Sequence, residues 1–235
     1  MTKKQMGRPI DPSKDRAILR AASALLFSQG PQAVTMEAVA DRAGISKATL
    51  YTRHADRDQL LRAVIKAESF VMIRSLGKSP RTRDELSTAL VIFMTSLSKF
   101  LASKRYQRLM QAMAFSSQAM AGARKTIYQN GPQRTHQVLS AYLESAAAQG
   151  LLQCAHPGRS AELLLGMMMG LDLVRTAYGM PAQRRLRADR ERHMRFIVQD
   201  FLALHEIRID AAAATGCHPS ALARAGRSSV VTEKS

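Results

Sequence analysis

The tripeptide Gly44-Ile45-Ser46 constrains this chain more than any other feature. Ahead of it, Met36, Val39, Ala40 and Ala43 recur at helical spacing. Gly44 supplies the left-handed conformation that ends a helix. Ser46 is a good N-cap for the next one. Residues 35–60 therefore read as two short helices joined by a tight turn, with a third helix starting at once. In the second helix, Ile45 and Leu50 turn back to the core. Lys47, Ala48, Thr49, Tyr51, Thr52 and Arg53 are left facing outward. A helix-turn-helix lays such a second helix in the DNA major groove, with its N-terminal residues at base edges.

The surroundings fit the same layout. Asp11-Pro12 is an N-cap followed by proline at the first helical position. Ile18, Ala22, Leu25 and Leu26 then share one face, and Gly30-Pro31 stops the helix. Asp56 to Gln59 opens a fourth helix with capping-box-like spacing. Further apolar stripes predict helices over 83–103, 104–120, 121–149, 158–178 and 187–208. The third of these is kinked at Gly131-Pro132, because proline removes a backbone donor and crowds the previous turn. No strand-like alternation is visible. The fold class is therefore all-α: a three-helix head followed by a larger helical unit, about nine helices in total. Residues 1–11 read as a disordered basic arm, 12–56 as the head, 57–210 as the larger unit and 211–235 as a disordered tail rich in Ala, Gly, Ser and Arg.

The stretch 12–66 resembles the DNA-binding domain of the TetR (tetracycline-repressor-like) family of bacterial regulators. Thr35 opens helix two, Val39-Ala40 sit within it, Gly44-Ile45-Ser46 is the turn, and Thr49-Leu50-Tyr51 lie on the recognition helix. Arg57 and Leu60-Leu61 follow. His54 departs from the pattern, standing where the family usually has an aromatic or aliphatic core residue. The Gly166–Gly170 and Arg175–Tyr178 region looks like the AefR-type subgroup.

The resemblance implies that Thr35, Ser46, Thr49, Tyr51 and Arg57 touch DNA, largely at phosphates, which set register without reading sequence. Lys47, Ala48, Thr52 and Arg53 match positions nearer the base edges, where Lys47 or Arg53 would donate to guanine and Ala48 or Thr52 would pack on a thymine methyl. Arg8, in a Gly-Arg-Pro that looks like half an AT-hook, is a candidate for the adjoining minor groove.

A short recognition helix reads few base pairs, so specificity requires a homodimer on a palindrome-like operator. Gly166 and Gly170, four apart, would let a second helix approach closely. Met194, Ile197, Val198 and Phe201, with His205, form a stripe on the last helix. Together they are the expected dimer surface; an intramolecular core is the alternative, and the TetR resemblance implies that both hold, the two helices also packing on their own domain. Thirteen methionines and no tryptophan suit an adaptable apolar pocket. Its candidate lining is Phe93, Met94, Leu97, Met110, Met113, Phe115, Tyr128, Met168 and Arg175. Taken singly, each of these apolar residues is better explained by ordinary core packing. Arg175 also stands one turn from Asp172, the spacing of an ion pair. The family's two-state scheme then implies release of the operator when an unidentified small-molecule effector binds, with the fourth helix transmitting the change.

The formal net charge of +17 favours an anionic polymer as partner. The surplus is six over residues 1–66 and eleven over the rest, so charge alone does not locate the head. A sequence-tolerant, nucleoid-type DNA-binding protein without an effector is the competing reading. Cys154 and Cys217 imply no disulfide framework. The N-terminus carries no apolar run after Lys3 and Lys4, and the stretch Ala161–Val174 is interrupted by Glu162 and Asp172 and too short for a bilayer. A cytoplasmic, nucleoid-associated location with no membrane partner is expected. The histidines lack metal-ligand spacing, and no phosphate loop, nucleophile elbow or paired-carboxylate pattern is present. Catalysis, metal and cofactor are accordingly not expected.

Overall fold

The computed structural model describes residues 11–114, 118–180 and 187–206. These are all-α, with no strand among them. In chain order the helices are α1 (Pro12–Gln29), α2 (Met36–Ala43), α3 (Lys47–Arg53), α4 (Arg57–Ile73), α5 (Arg83–Leu101), α6 (Lys104–Ala114), α7 (Ala121–Tyr128), α8 (Arg134–Ala148), α9 (Pro157–Ala177) and α10 (Arg187–Leu204). Counting α7 and α8 as one interrupted helix gives nine. Arg8, Phe115 and the expected tail from 211 lie outside the described residues.

Helix starts follow from local chemistry. The side chains of Asp11, Thr35, Ser46 and Asp56 each accept a backbone N–H of the first turn they precede, from Ser13, Ala38, Thr49 and Gln59. Each such cap contributes about 1 kcal/mol. The box at α4 is displaced by one residue: the Gln59 side chain accepts from the Ala55 N–H, not from Asp56.

Two apolar cores divide the chain, and α4 belongs to both. The first joins Ile18, Leu26, Val39 and Leu50 of α1–α3 to Leu60, Leu61, Val64 and Ile65 from the first half of α4. Leu109 of α6 and Ile127 of α7 complete it. The second takes Met72 and Ile73 from the last turn of α4 and gathers Phe93, Leu139, Leu143, Leu164 and Phe201 from α5, α8, α9 and α10. Phe93 and Phe201 are fully buried. Each such side chain stabilises the fold by roughly 1.5–3 kcal/mol.

Two local departures from regular helix matter. Between α7 and α8 the chain runs as a π-helical turn, Gln129–Gln133, with Pro132 inside it. The wider turn accommodates the missing proline N–H. The Asn130 carbonyl accepts from the Ser69 hydroxyl at 3.2 Å, which fastens the turn to the C-terminal half of α4. At Gly30, φ is 92° and ψ 177°. A Cβ there would lie 2.6 Å from the Ala112 Cβ of α6. Only glycine lets α6 approach the end of α1 this closely.

Of the two readings of the stripe on α10, packing within the chain's own domain is the one the fold displays. Met194, Ile197, Val198 and Phe201 are buried in the chain's own second core, because α10 packs against α5 and α9. Gly170 is not a smooth packing position either; its φ of 41° and ψ of −144° break α9. Gly166 and Gly170 are exposed. Beside them on α9 stand the exposed apolar side chains Leu163, Leu171 and Val174, and α10 exposes Phe196 and Leu204.

Candidate nucleic-acid interface

Three devices set the pose of α3. Gly44 adopts φ 67°, ψ 36°, the left-handed end that glycine tolerates, and its N–H bonds back to α2. The Ile45 N–H donates to the Ala40 carbonyl at 3.1 Å, closing the turn. Leu50, with no exposed surface, fixes the rotation of α3 about its axis. Lys47, Ala48, Tyr51 and Thr52 are thereby exposed on one side. Thr49 is partly covered, and its hydroxyl meets that of Ser46 at 2.8 Å. Thr35 and Ser46 are exposed but spend a lone pair on capping.

Within this surface the cations are unequal. Lys47 is exposed and pairs loosely with Glu37 of α2 at 3.2 Å, an arrangement that exchanges readily for a DNA acceptor. Arg53 is different. Only 14% of its side chain is exposed, and its guanidinium is engaged by the Asp15 carboxylate of α1. It pins the end of the recognition helix to the first turn of α1 and is not presented to a base edge. Arg57 also departs from expectation. Its guanidinium donates to the Val34 carbonyl at 2.8 Å and the Pro31 carbonyl at 2.6 Å, and it touches the Met120 sulfur. It ties the α1–α2 loop to α4 and is not aimed at a phosphate.

A consequence is testable. Arg53→Ala should lower stability by about 1–2 kcal/mol, after discounting for the half-exposed Asp15. It should leave the base preference of the complex unchanged, whereas Lys47→Ala should change it. Thermal melts and binding to a panel of singly substituted operators check the two halves.

His54 caps the end of α3 with its ring half-buried. Burial holds its pKa below the ordinary 6.5; Asp15 pulls it up and Arg53 adds to the lowering. The folded chain therefore binds this proton less readily than the unfolded chain does. His54 contributes its full stability above about pH 6.5, and the contribution is lost as the pH falls below that value. His54→Phe should flatten the acid side of a plot of Tm against pH.

The expected pocket residues do not share one place. Phe93, Met94, Leu97 and Met168 lie together in the second core. Met113 packs at the edge of the first core, while Met110 and Tyr128 are exposed. Arg175 is half-buried on α9. Sequence reasoning missed Asp15 and Glu37, the partners of Arg53 and Lys47, because neither carries a local signal for its role.

Residues 18–64 match the sequence profile of the bacterial regulatory proteins of the tetR family. Residues 88–206, half of the chain, match the C-terminal domain of AefR-like transcriptional repressors. The chain belongs to the TetR family. It is thus a helix-turn-helix transcriptional regulator that binds DNA, a family whose members are generally not enzymes.

The uncharacterized HTH-type transcriptional regulator YdeS of Bacillus subtilis (strain 168) is 33% identical over 98 residues, 42% of this chain. The chain spans about half of that relative, 47% of its length. Among solved structures, the flavonoid-responsive regulator FrrA is 26% identical with a TM-score of 0.62, covering 84% of this chain and all of FrrA. A TetR transcriptional regulator from Agrobacterium tumefaciens has a TM-score of 0.64 at 21% identity, covering 83% of this chain and 95% of its own, which shows the shared fold. Among the described residues no single helix is long and apolar enough to cross a membrane.

Proposed function

We propose that this TetR-family chain is a dimeric repressor that binds a palindrome-like operator and lets go of it when a small, mostly apolar ligand enters the second core. One observation carries the DNA-reading part: the capped helix α3 exposes Lys47, Ala48, Tyr51 and Thr52 on one side while Leu50 locks its rotation. Those side chains offer a donor, a methyl contact and hydroxyls for bases and phosphates. Thr35 and Thr49 flank them.

Dimerisation is supported by the outward faces of α9 and α10. Leu163 and Gly166 stand exposed before the break at Gly170, Leu171 and Val174 stand exposed after it, and Phe196 is exposed on α10. An apolar strip of this kind on two packed helices suits a second copy of the same chain. The ligand part is supported by Phe93, Met94, Leu97 and Met168, gathered where α5 meets α9, and by the responsiveness of FrrA to flavonoids.

Fluorescence anisotropy on the chain's own promoter region, against scrambled DNA of equal length at roughly 150 mM salt, tests the reading. A preference of about a thousandfold with two chains per site is expected. Equal binding to promoter and scrambled DNA, and no enriched sequence in a genome-wide selection, would replace it with the nucleoid-type reading.

A further inference from the structure

A groove of about 530 Å³ runs along the outside of the head between α1, α4 and α6. Its bed is apolar, with Leu19 and Ala24 from α1 and Val64, Ala67 and Val71 from α4. Arg16 and Arg20, one turn apart on α1, stand exposed along it, and among the described residues neither is engaged by a carboxylate. Arg105 of α6 also lines the groove. Its guanidinium lies 3.9 Å above the Phe27 ring and donates to the Ser23 hydroxyl and the Glu68 carboxylate. Ser23 in turn donates to Glu68 at 2.6 Å. Three arginines and one carboxylate thus line a groove with an apolar bed, and of the three Arg105 holds the carboxylate.

We propose that this groove is an effector site for an amphipathic anion. The apolar part lies on Leu19, Val64 and Val71. The carboxylate or phosphate head is gripped by Arg16 and Arg20, whose planar forks suit such groups. DNA shares the anionic chemistry but carries nothing to cover the apolar floor. The head also competes with Glu68 for Arg105. That matters because the Ser23–Glu68–Arg105 clasp joins α1 of the head to α4 and to α6. An anion that draws Arg105 from Glu68 loosens this joint and favours a different seating of the head. The inference rests on the reading of the chain as a ligand-responsive regulator, and it adds a second ligand site on the head to the one in the second core.

The test uses the full chain and dansyl-undecanoate, with its methyl ester as the neutral control. The chain has no tryptophan to interfere with the dansyl signal. The acid should bind about tenfold or more tightly than the ester, a preference that charge-assisted contacts supply. Arg16→Ala with Arg20→Ala, both at exposed positions, should abolish that preference. Glu68→Gln should strengthen binding of the acid several-fold, because it removes the competing charge. Equal binding of acid and ester, an undiminished preference in the double variant, or no gain from Glu68→Gln would each overturn the site. Operator anisotropy on the same proteins separates the two readings. Weakened operator binding with an unchanged probe titration would assign both arginines to DNA and leave the regulator intact. Loss of operator preference in the unsubstituted chain would remove the regulator reading and leave the probe titration as its own result.

Discussion

The double substitution Leu171→Glu, Phe196→Glu is expected to leave a folded monomer that binds the operator at least about a hundredfold more weakly. The two side chains are 71% and 59% exposed, so little of the chain's own packing depends on them. Exposed substitutions of this kind usually move stability by no more than about 0.5 kcal/mol. Across a two-fold interface each change is made twice, and four carboxylates would meet on a surface that was apolar. One head alone then holds the DNA. It loses the second set of base contacts and the entropic advantage of having both heads tethered. Sedimentation velocity reads the first effect and anisotropy the second. A variant that remains dimeric and keeps its operator affinity would move the interface elsewhere. By contrast, Met194→Ala or Phe201→Ala should reduce stability by roughly 2–5 kcal/mol, since these side chains fill the chain's own core.

The second large effect is expected at Gly30. Gly30→Ala should cost roughly 2–5 kcal/mol, combining a backbone conformation nearly confined to glycine with a forced shift of α6. The new Cβ would meet Ala112 at 2.6 Å and the Gln32 side chain at 2.7 Å. Gln32 can swing away; Ala112 can move only with its helix. Gly44→Ala is the natural control. Its φ is also positive, at 67°, but nothing lies within 4 Å of the added Cβ. It should cost only about 1–2 kcal/mol, the strain of the left-handed conformation itself. Circular-dichroism melts of the two variants separate strain from collision. If both fall equally, the packing of α6 against the end of α1 is softer than its geometry implies.

How much of this was legible in the sequence depended on range. The caps at Asp11 and Ser46, the αL turn at Gly44 and the stripe of Ile18, Ala22, Leu25 and Leu26 are decided within a few residues. The periodicity and turn chemistry of the chain are enough to find them. The interruption at Gly131-Pro132 was equally visible, though not that it takes the form of a π turn. The fates of Arg53 and Arg57 were hidden. Each is an arginine at a helix end, Arg53 closing α3 and Arg57 opening α4. What removes them from a DNA-facing role is a carboxylate 38 residues away for Arg53 and loop carbonyls 23 and 26 residues away for Arg57. A long cation chooses between solvent and neighbour by tertiary placement, and no local pattern encodes that choice. The stripe on α10 left two partners open for a related reason. Helical periodicity identifies an apolar face but not whether its partner is the same chain or another copy. The exposed Phe196 breaks the periodic pattern and draws no attention in the sequence.

The Ser69 hydroxyl holds the π turn against α4 in the last third of its length. The helix spans about 25 Å at 1.5 Å per residue, and its two ends are embedded in separate cores. A rod gripped off its centre behaves as a lever with unequal arms. Any push on Met72 and Ile73, on the short arm beyond Ser69, reappears at Leu60 and Leu61, on the long arm, with opposite sign and larger size. The carbonyl of Asn130 is the pivot. Moving that pivot along the beam would change the gearing between the two halves of the molecule without altering a single residue in either core.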